Sequence, residues 1–188
     1  MSKPLNAELL TLFTADQQER KNHPPYNTPE YWALRERDEQ RRGRVVEIIA
    51  AGDMKSAEDY YYGAMVLHHG GNVDQVWQAY TLARQSAKMG YRPARWLTAA
   101  TYDRWLMYQS KPQKYGTQIV PDGKRHRVWD VDPTTSDEER AEWDVRPLHL
   151  QLVHANELTR TEPMPSMDRA PEWLKAAIKR WENEEKSS

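Results

Sequence analysis

The chain has no cysteine and only one phenylalanine in 188 residues. Without cysteine there are no disulfides, no thiolate nucleophile and no cysteine metal site. No stretch approaches the roughly 20 apolar residues of a membrane span, and the first residues, MSKPLNAELL, lack a signal-peptide core. These absences lead us to expect a soluble, cytoplasmic protein with no membrane partner. A one-sided charge is missing too: 27 basic residues face 28 acidic ones, a net charge of −1. Such a balance provides no field for nucleic acid, so no nucleic-acid partner is expected. There is no G-x-x-x-x-G-K or G-x-G-x-x-G loop for a nucleotide and no G-x-S-x-G elbow for a nucleophilic serine. No cofactor is expected.

What is present is helical. Leu9, Leu10, Leu12 and Phe13 form a stripe in a first helix from Asn6 to Arg20, with Asp16 and Gln17 on its second half. Pro24 and Pro25 break the chain. Thr28 and Pro29 then cap and open a second helix that runs to Ala51. Its middle, Arg35 to Arg44, carries mixed charge and reads as a solvated face. Ser56 and Asp59 make a capping box for a third helix, apolar on most sides, which ends at His68-His69-Gly70-Gly71. A fourth helix covers Val73 to Met89, and Pro93 opens a fifth. The weak echo between the third and fifth helices, about 36 residues apart, resembles a Sel1-like or tetratricopeptide unit. Ile119 to Val131 reads as a short β-hairpin around Pro121-Asp122-Gly123-Lys124. Two short helices follow. Residues 161–171 read as a proline-rich linker and 172–188 as a helix with Trp173, Leu174, Ile178 and Trp181 along one side.

The fold expected is therefore all-α: stacked antiparallel helical hairpins with a small β-hairpin insertion and a C-terminal helical extension. Residues 1–160 would form one domain.

The densest stretch is Asp103 to Gln118, DRWLMYQSKPQKYGTQ. Pro112 ends the fifth helix, and Gly116 allows a turn that a side chain would resist. Tyr115, Thr117 and Gln118 crowd polar heads onto that turn. Burying them is costly unless each is paired. Either they pair with one another and lock the turn, or some of them hold a ligand. His69 and Asp103 suggest an acid–base pair if the third and fifth helices lie side by side. Equally, Asp103 serves as a structural ion-pair partner. His68 and His69 project about 100 degrees apart on a helix, so they do not share one metal, and no metal site is expected.

In order along the chain, Asp16-Gln17, the run Val45 to Ile49, His69, Asp103-Arg104, Gln113 and Tyr115-Gly116-Thr117-Gln118 resemble a bacterial family. It is a family of small helical domains, known only as a domain of unknown function. Its members read DQ, II, QHAD, DR and Q-x-YGTQ in that order, and the resemblance covers about residues 9 to 150. Two departures stand out. Gly71 replaces the acidic residue of QHAD, with Asp74 three residues on as a possible substitute, and the segment from Pro163 onward has no counterpart. The resemblance implies a helical fold and no particular reaction.

The sequence thus points to a domain that binds a small molecule or peptide in a pocket walled by Trp and Tyr. Its ligand-binding residues would be Arg104, Gln113, Tyr115, Thr117, Gln118, Asp16 and Gln17, and its catalytic pair His69 and Asp103. The rival expectation is a non-catalytic interaction module that takes a protein partner through the aromatic groove or the C-terminal helix.

Overall fold

The computed structural model describes residues 5–25 and 28–187. Tyr26 and Asn27 of the expected loop, residues 1–4 and Ser188 lie outside the described residues. The described residues are mostly helical, with eight helices and a two-stranded antiparallel sheet, as the sequence predicts. No helix among them is long and apolar enough to cross a membrane. The chain gathers into two compact units, 1–102 and 103–188.

The first unit holds α1 (Ala7–Lys21), α2 (Pro29–Ala50), α3 (Ala57–His68), α4 (Val73–Lys88) and most of α5 (Pro93–Tyr108). Helix α3 is its centre. Gly63 to His68 are all buried, which fits a helix that is apolar nearly all round. It forms a hairpin with α4, where Ser86 Oγ donates to the Ala57 carbonyl at 2.6 Å, so the end of α4 lies beside the start of α3. The start of α3 is fixed by its capping box. Asp59 accepts from the backbone N–H groups of Lys55 and Ser56, and also from that of Asn6 at 2.8 Å. One buried carboxylate thereby ties the beginning of α1 to the beginning of α3. Leu9, Val45, Ile48, Met65, Leu67, Leu82 and Leu97 complete the core.

Helix α2 departs from expectation. The charged run is not simply a solvated face: Asp38, Arg41 and Arg42 are buried. The reason is spacing. Leu34, Asp38, Arg41, Val45 and Ile48 recur at intervals of four and three, so a single buried stripe carries apolar and charged residues alike.

The second unit comprises the end of α5 from Asp103, strands β1 (Ile119–Pro121) and β2 (His126–Val128), and helices α6 (Asp137–Glu142), α7 (Leu148–Thr161) and α8 (Glu172–Ser187). Ile119 pairs with Val128, Val120 with Arg127 and Pro121 with His126. So short a hairpin needs a support. Trp129 supplies one: it is 1% exposed, and its indole N–H donates to the Lys111 carbonyl at 2.8 Å. Trp173 and Trp181 of the last helical segment meet it edge to face, with centroids 5.5 and 5.3 Å away. Leu174, Ala177 and Trp181 form one buried side of α8. The Trp181 indole N–H donates to Asp130 at 2.8 Å, and the Arg127 guanidinium lies 4.1 Å from its ring centroid. Helix α8 therefore docks through its apolar stripe.

Trp181 is 2% exposed, so Trp181→Ala should cost about 3–5 kcal/mol, as for other buried large-to-small changes. Urea denaturation checks this as a lowered midpoint. A midpoint equal to that of the unmodified chain would mean that α8 adds nothing to the second unit.

Candidate functional site

In the second unit, the Tyr-Gly-Thr-Gln turn is built around a carboxylate. Asp103 Oδ1 accepts from the N–H groups of Lys114 and Tyr115, at 2.8 and 2.9 Å. Its Oδ2 accepts from the Thr117 N–H at 3.0 Å and the Thr117 hydroxyl at 2.8 Å. Four donors fill the four lone-pair sites of a carboxylate. Burial pushes the Asp103 carboxyl above the ordinary Asp range, and the bonds from Thr117, Tyr115 and Lys114 offset only part of that. Gly116 has φ of +87°, and a Cβ there would meet Leu148 Cδ1 at 3.1 Å. Both the left-handed backbone and the tight space favour glycine.

The other expected ligand-binding residues of this stretch complete the same turn. Gln113, 0% exposed, donates to the carbonyls of Gln118 and Trp129 and accepts from the Gln118 N–H at 2.8 Å. The Gln118 side chain accepts from Arg104 Nε at 2.9 Å and donates to the Thr117 hydroxyl at 3.0 Å. Arg140 Nε donates to the Tyr115 carbonyl at 2.9 Å. The sequence signal for Arg140 is weak: its position three residues after Asp137 on a short helix, the spacing of an ion pair.

His69 lies in the first unit as the C-cap of α3. Its carboxylate partner is Asp16, with Nδ1 3.1 Å from Oδ2 and 3.2 Å from Oδ1. Asp103, which the sequence suggests as the acid–base partner of His69, belongs to the second unit, where the turn fills its lone pairs. Gln17 donates to Asp16 Oδ2 at 2.9 Å. Arg20, one turn after Asp16, donates through Nη2 to Asp16 and to Asp38, both at 3.0 Å. Its Nε lies 3.2 Å from His69 Nδ1. The one nitrogen of His69 therefore faces an acceptor and a donor. With a proton it donates to Asp16; without one it accepts from Arg20.

Helix α2 closes the cluster. Asp38 Oδ1 accepts from Arg41 Nη2 at 2.7 Å, and Arg42 Nη1 donates to the His69 carbonyl at 3.2 Å. Asp16 and Asp38 are each 1% exposed. Burial alone would push the Asp16 carboxyl up; the hydrogen bond and charge of His69, with the charge of Arg20, bring it below the ordinary Asp value. For Asp38, burial is likewise outweighed, here by the bond from Arg41 and by Arg20. Residue type hides Asp38, Arg41 and Arg42 in the sequence, whereas the four-three spacing through Leu34 and Val45 signals Asp38 and Arg41. Among the described residues no group of three or more His, Asp or Glu side chains is placed to hold a metal ion.

Compared with protein-family models, curated proteins and solved structures, the chain matches none.

Two outcomes follow from this geometry. Gln113→Ala strands the Gln118 N–H and the Trp129 carbonyl. At about 1–3 kcal/mol for each buried group left unpaired, the thermal midpoint should drop by at least about 5 °C. An unchanged midpoint would show that the turn is not a lock. The second outcome concerns acid. Asp16 and Asp38 have lowered carboxyl pKa values in the fold, so the unfolded chain binds more protons as the pH falls through the Asp range. Their contribution is present above the ordinary Asp pKa and is lost as the pH falls through the folded values. A double Asp16→Asn, Asp38→Asn variant should be less stable at pH 7 and lose less stability between pH 4 and pH 2. Melting curves across that range check it, and an unaltered slope would contradict it.

Proposed function

We propose that the chain is a helical domain that binds a small molecule beside Asp16 and His69, with His69 as its acid–base group. One observation carries this reading: a fully buried carboxylate lies against an imidazole whose side chain keeps 18% of its exposure. When Nδ1 holds the proton and donates to Asp16, the lone pair is on Nε2, and that nitrogen is the base. Asp16 then stabilises the imidazolium that forms when Nε2 takes a proton. Arg20 keeps Asp16 ionised and fixes its position.

The Tyr115 turn has a different part in this proposal. It is scaffold, since Asp103, Gln113 and Gln118 spend their polar atoms on one another and on the backbone. The rival reading, a protein-interaction module working through the C-terminal helix, has less support because the apolar stripe of α8 is buried within its own unit. We further propose that the ordered motifs mark membership of the helical family they resemble. Supporting this, Asp16, His69, Asp103 and Gln113 all hold specific hydrogen-bonded positions.

The test is to incubate the unmodified chain, His69→Ala and Asp16→Asn with a cell-extract metabolite pool and follow consumption by mass spectrometry. The unmodified chain should consume at least one metabolite. His69→Ala should lower that rate by about 10²–10⁴-fold, the usual share of general acid–base catalysis. Full turnover by His69→Ala would remove His69 from the chemistry.

A further inference from the structure

Among the ion pairs of the described residues, the charges around Asp16 and His69 do not balance. Arg20, Arg35 and Arg41 surround two buried carboxylates, Asp16 and Asp38. Including Glu19 with Arg37, and Glu39 with Arg42, leaves the excess of one positive charge unchanged. Protonation of His69 would raise it by one.

The excess is concentrated at Arg35. Its one ion pair among the described residues, from Nη1 to Asp38 Oδ2, is 3.6 Å long, beyond hydrogen-bond range. Arg20 and Arg41 already fill Asp38 at shorter distances. No side-chain N–H of Arg35 makes a hydrogen bond among the described residues, and the side chain keeps 36% of its exposure. There is also room beside it. A Cβ built on Gly71 would lie 3.9 Å from Arg35 Nη2, with no other heavy atom within 4 Å. Gly71 is two residues beyond His69, and Arg20, bonded to His69, shares Asp38 Oδ2 with Arg35. The layer beneath is short of acceptors as well: Nε of Arg41 and Nε of Arg42 are buried without a hydrogen-bond partner.

We propose that Arg35, backed by Arg20, binds an oxyanion group, phosphate or carboxylate, on the small molecule that His69 acts upon. This rests on the acid–base reading of His69. A guanidinium presents two parallel N–H groups that match two oxygens of either anion, and such charge-assisted pairs are the strong ones. The open space at Gly71 receives the group, and the uncompensated positive charge attracts it. The substrate class is therefore a small phosphomonoester or carboxylic acid, with its anionic end at Arg35 and its reacting bond toward His69.

Inorganic phosphate and acetate are the probes, titrated separately into the full chain and followed by calorimetry and by NMR shifts. One of them should bind saturably. A preference for phosphate identifies a phosphomonoester end, and a preference for acetate a carboxylate end. Arg35→Gln should weaken binding at least about tenfold, the loss expected for hydrogen bonds to a charged partner. Gly71→Asp should weaken it comparably, because its own carboxylate would occupy the place beside Arg35. Melting curves for both variants should match the unmodified chain, since Arg35 is partly exposed and a Cβ at residue 71 meets no close atom. His69→Ala should still bind the anion while losing turnover. Binding that is unchanged in both Arg35→Gln and Gly71→Asp, or no binding of either anion by the unmodified chain, overturns the proposal. Neither result touches the acid–base role, which the His69→Ala turnover decides separately.

Discussion

A carboxylate buried in a protein must be surrounded by donors or cations, because leaving it bare costs far more than any fold can recover. Four aspartates impose that demand here: Asp16, Asp38, Asp59 and Asp103, each at most 1% exposed. Much of the remaining architecture answers it. Asp59 draws in the N–H of Asn6 and so fixes where α1 begins relative to α3. Asp103 gathers Lys114, Tyr115 and Thr117 and so shapes the turn after α5. Asp16 and Asp38 pull Arg20 across from α1 to α2, which places the end of α3 and its histidine.

The four do not meet the demand in the same way. Asp59 and Asp103 are satisfied mainly by backbone N–H groups, which are fixed by the fold and carry no titratable proton at neutral pH. Such carboxylates set geometry. Asp16 and Asp38 are satisfied by side chains: imidazole, amide and guanidinium. Those partners can change protonation or exchange partners without unfolding anything. A buried ion-pair cluster is also a weak device for stability, since hydrophobic residues of similar volume often do as well or better. The placement of the cluster against a partly exposed histidine is the feature on which the proposed acid–base role rests.

Much of the fold was legible because its signals are local. Thr28 and Ser56 each cap the helix they precede. The Trp173, Leu174, Ile178 and Trp181 stripe marked the face by which α8 docks. The Tyr-Gly-Thr-Gln turn was legible as a crowded polar turn, but not the identity of the group at its centre, because Asp103 is eleven or more residues away in sequence from the amides it binds. The burial of Asp38, Arg41 and Arg42 was hidden for another reason. Residue type alone says that charges face water, whereas the four-three spacing with Leu34, Val45 and Ile48 says that they face inward. Spacing prevailed because three helices supplied complementary charges at one level. The partner of His69 was hidden for the same reason: Asp16 is 53 residues away, and nothing local links them.

Arg20 is where these threads join. Its Nη2 serves both Asp16 and Asp38, and its Nε approaches the nitrogen that His69 also turns toward Asp16. An anion held, as proposed, by Arg35 and Arg20 would compete for those same N–H groups. Whatever share of Arg20 it takes weakens the donor facing His69 Nδ1, and that favours the form in which Nδ1 is protonated and bonded to Asp16. The lone pair then lies on Nε2. By linkage the converse holds with equal strength, since protonation at Nδ1 releases Arg20 toward the anion. In the proposed reading, the charge that recruits the ligand and the tautomer that makes His69 a base are thus coupled through a single guanidinium.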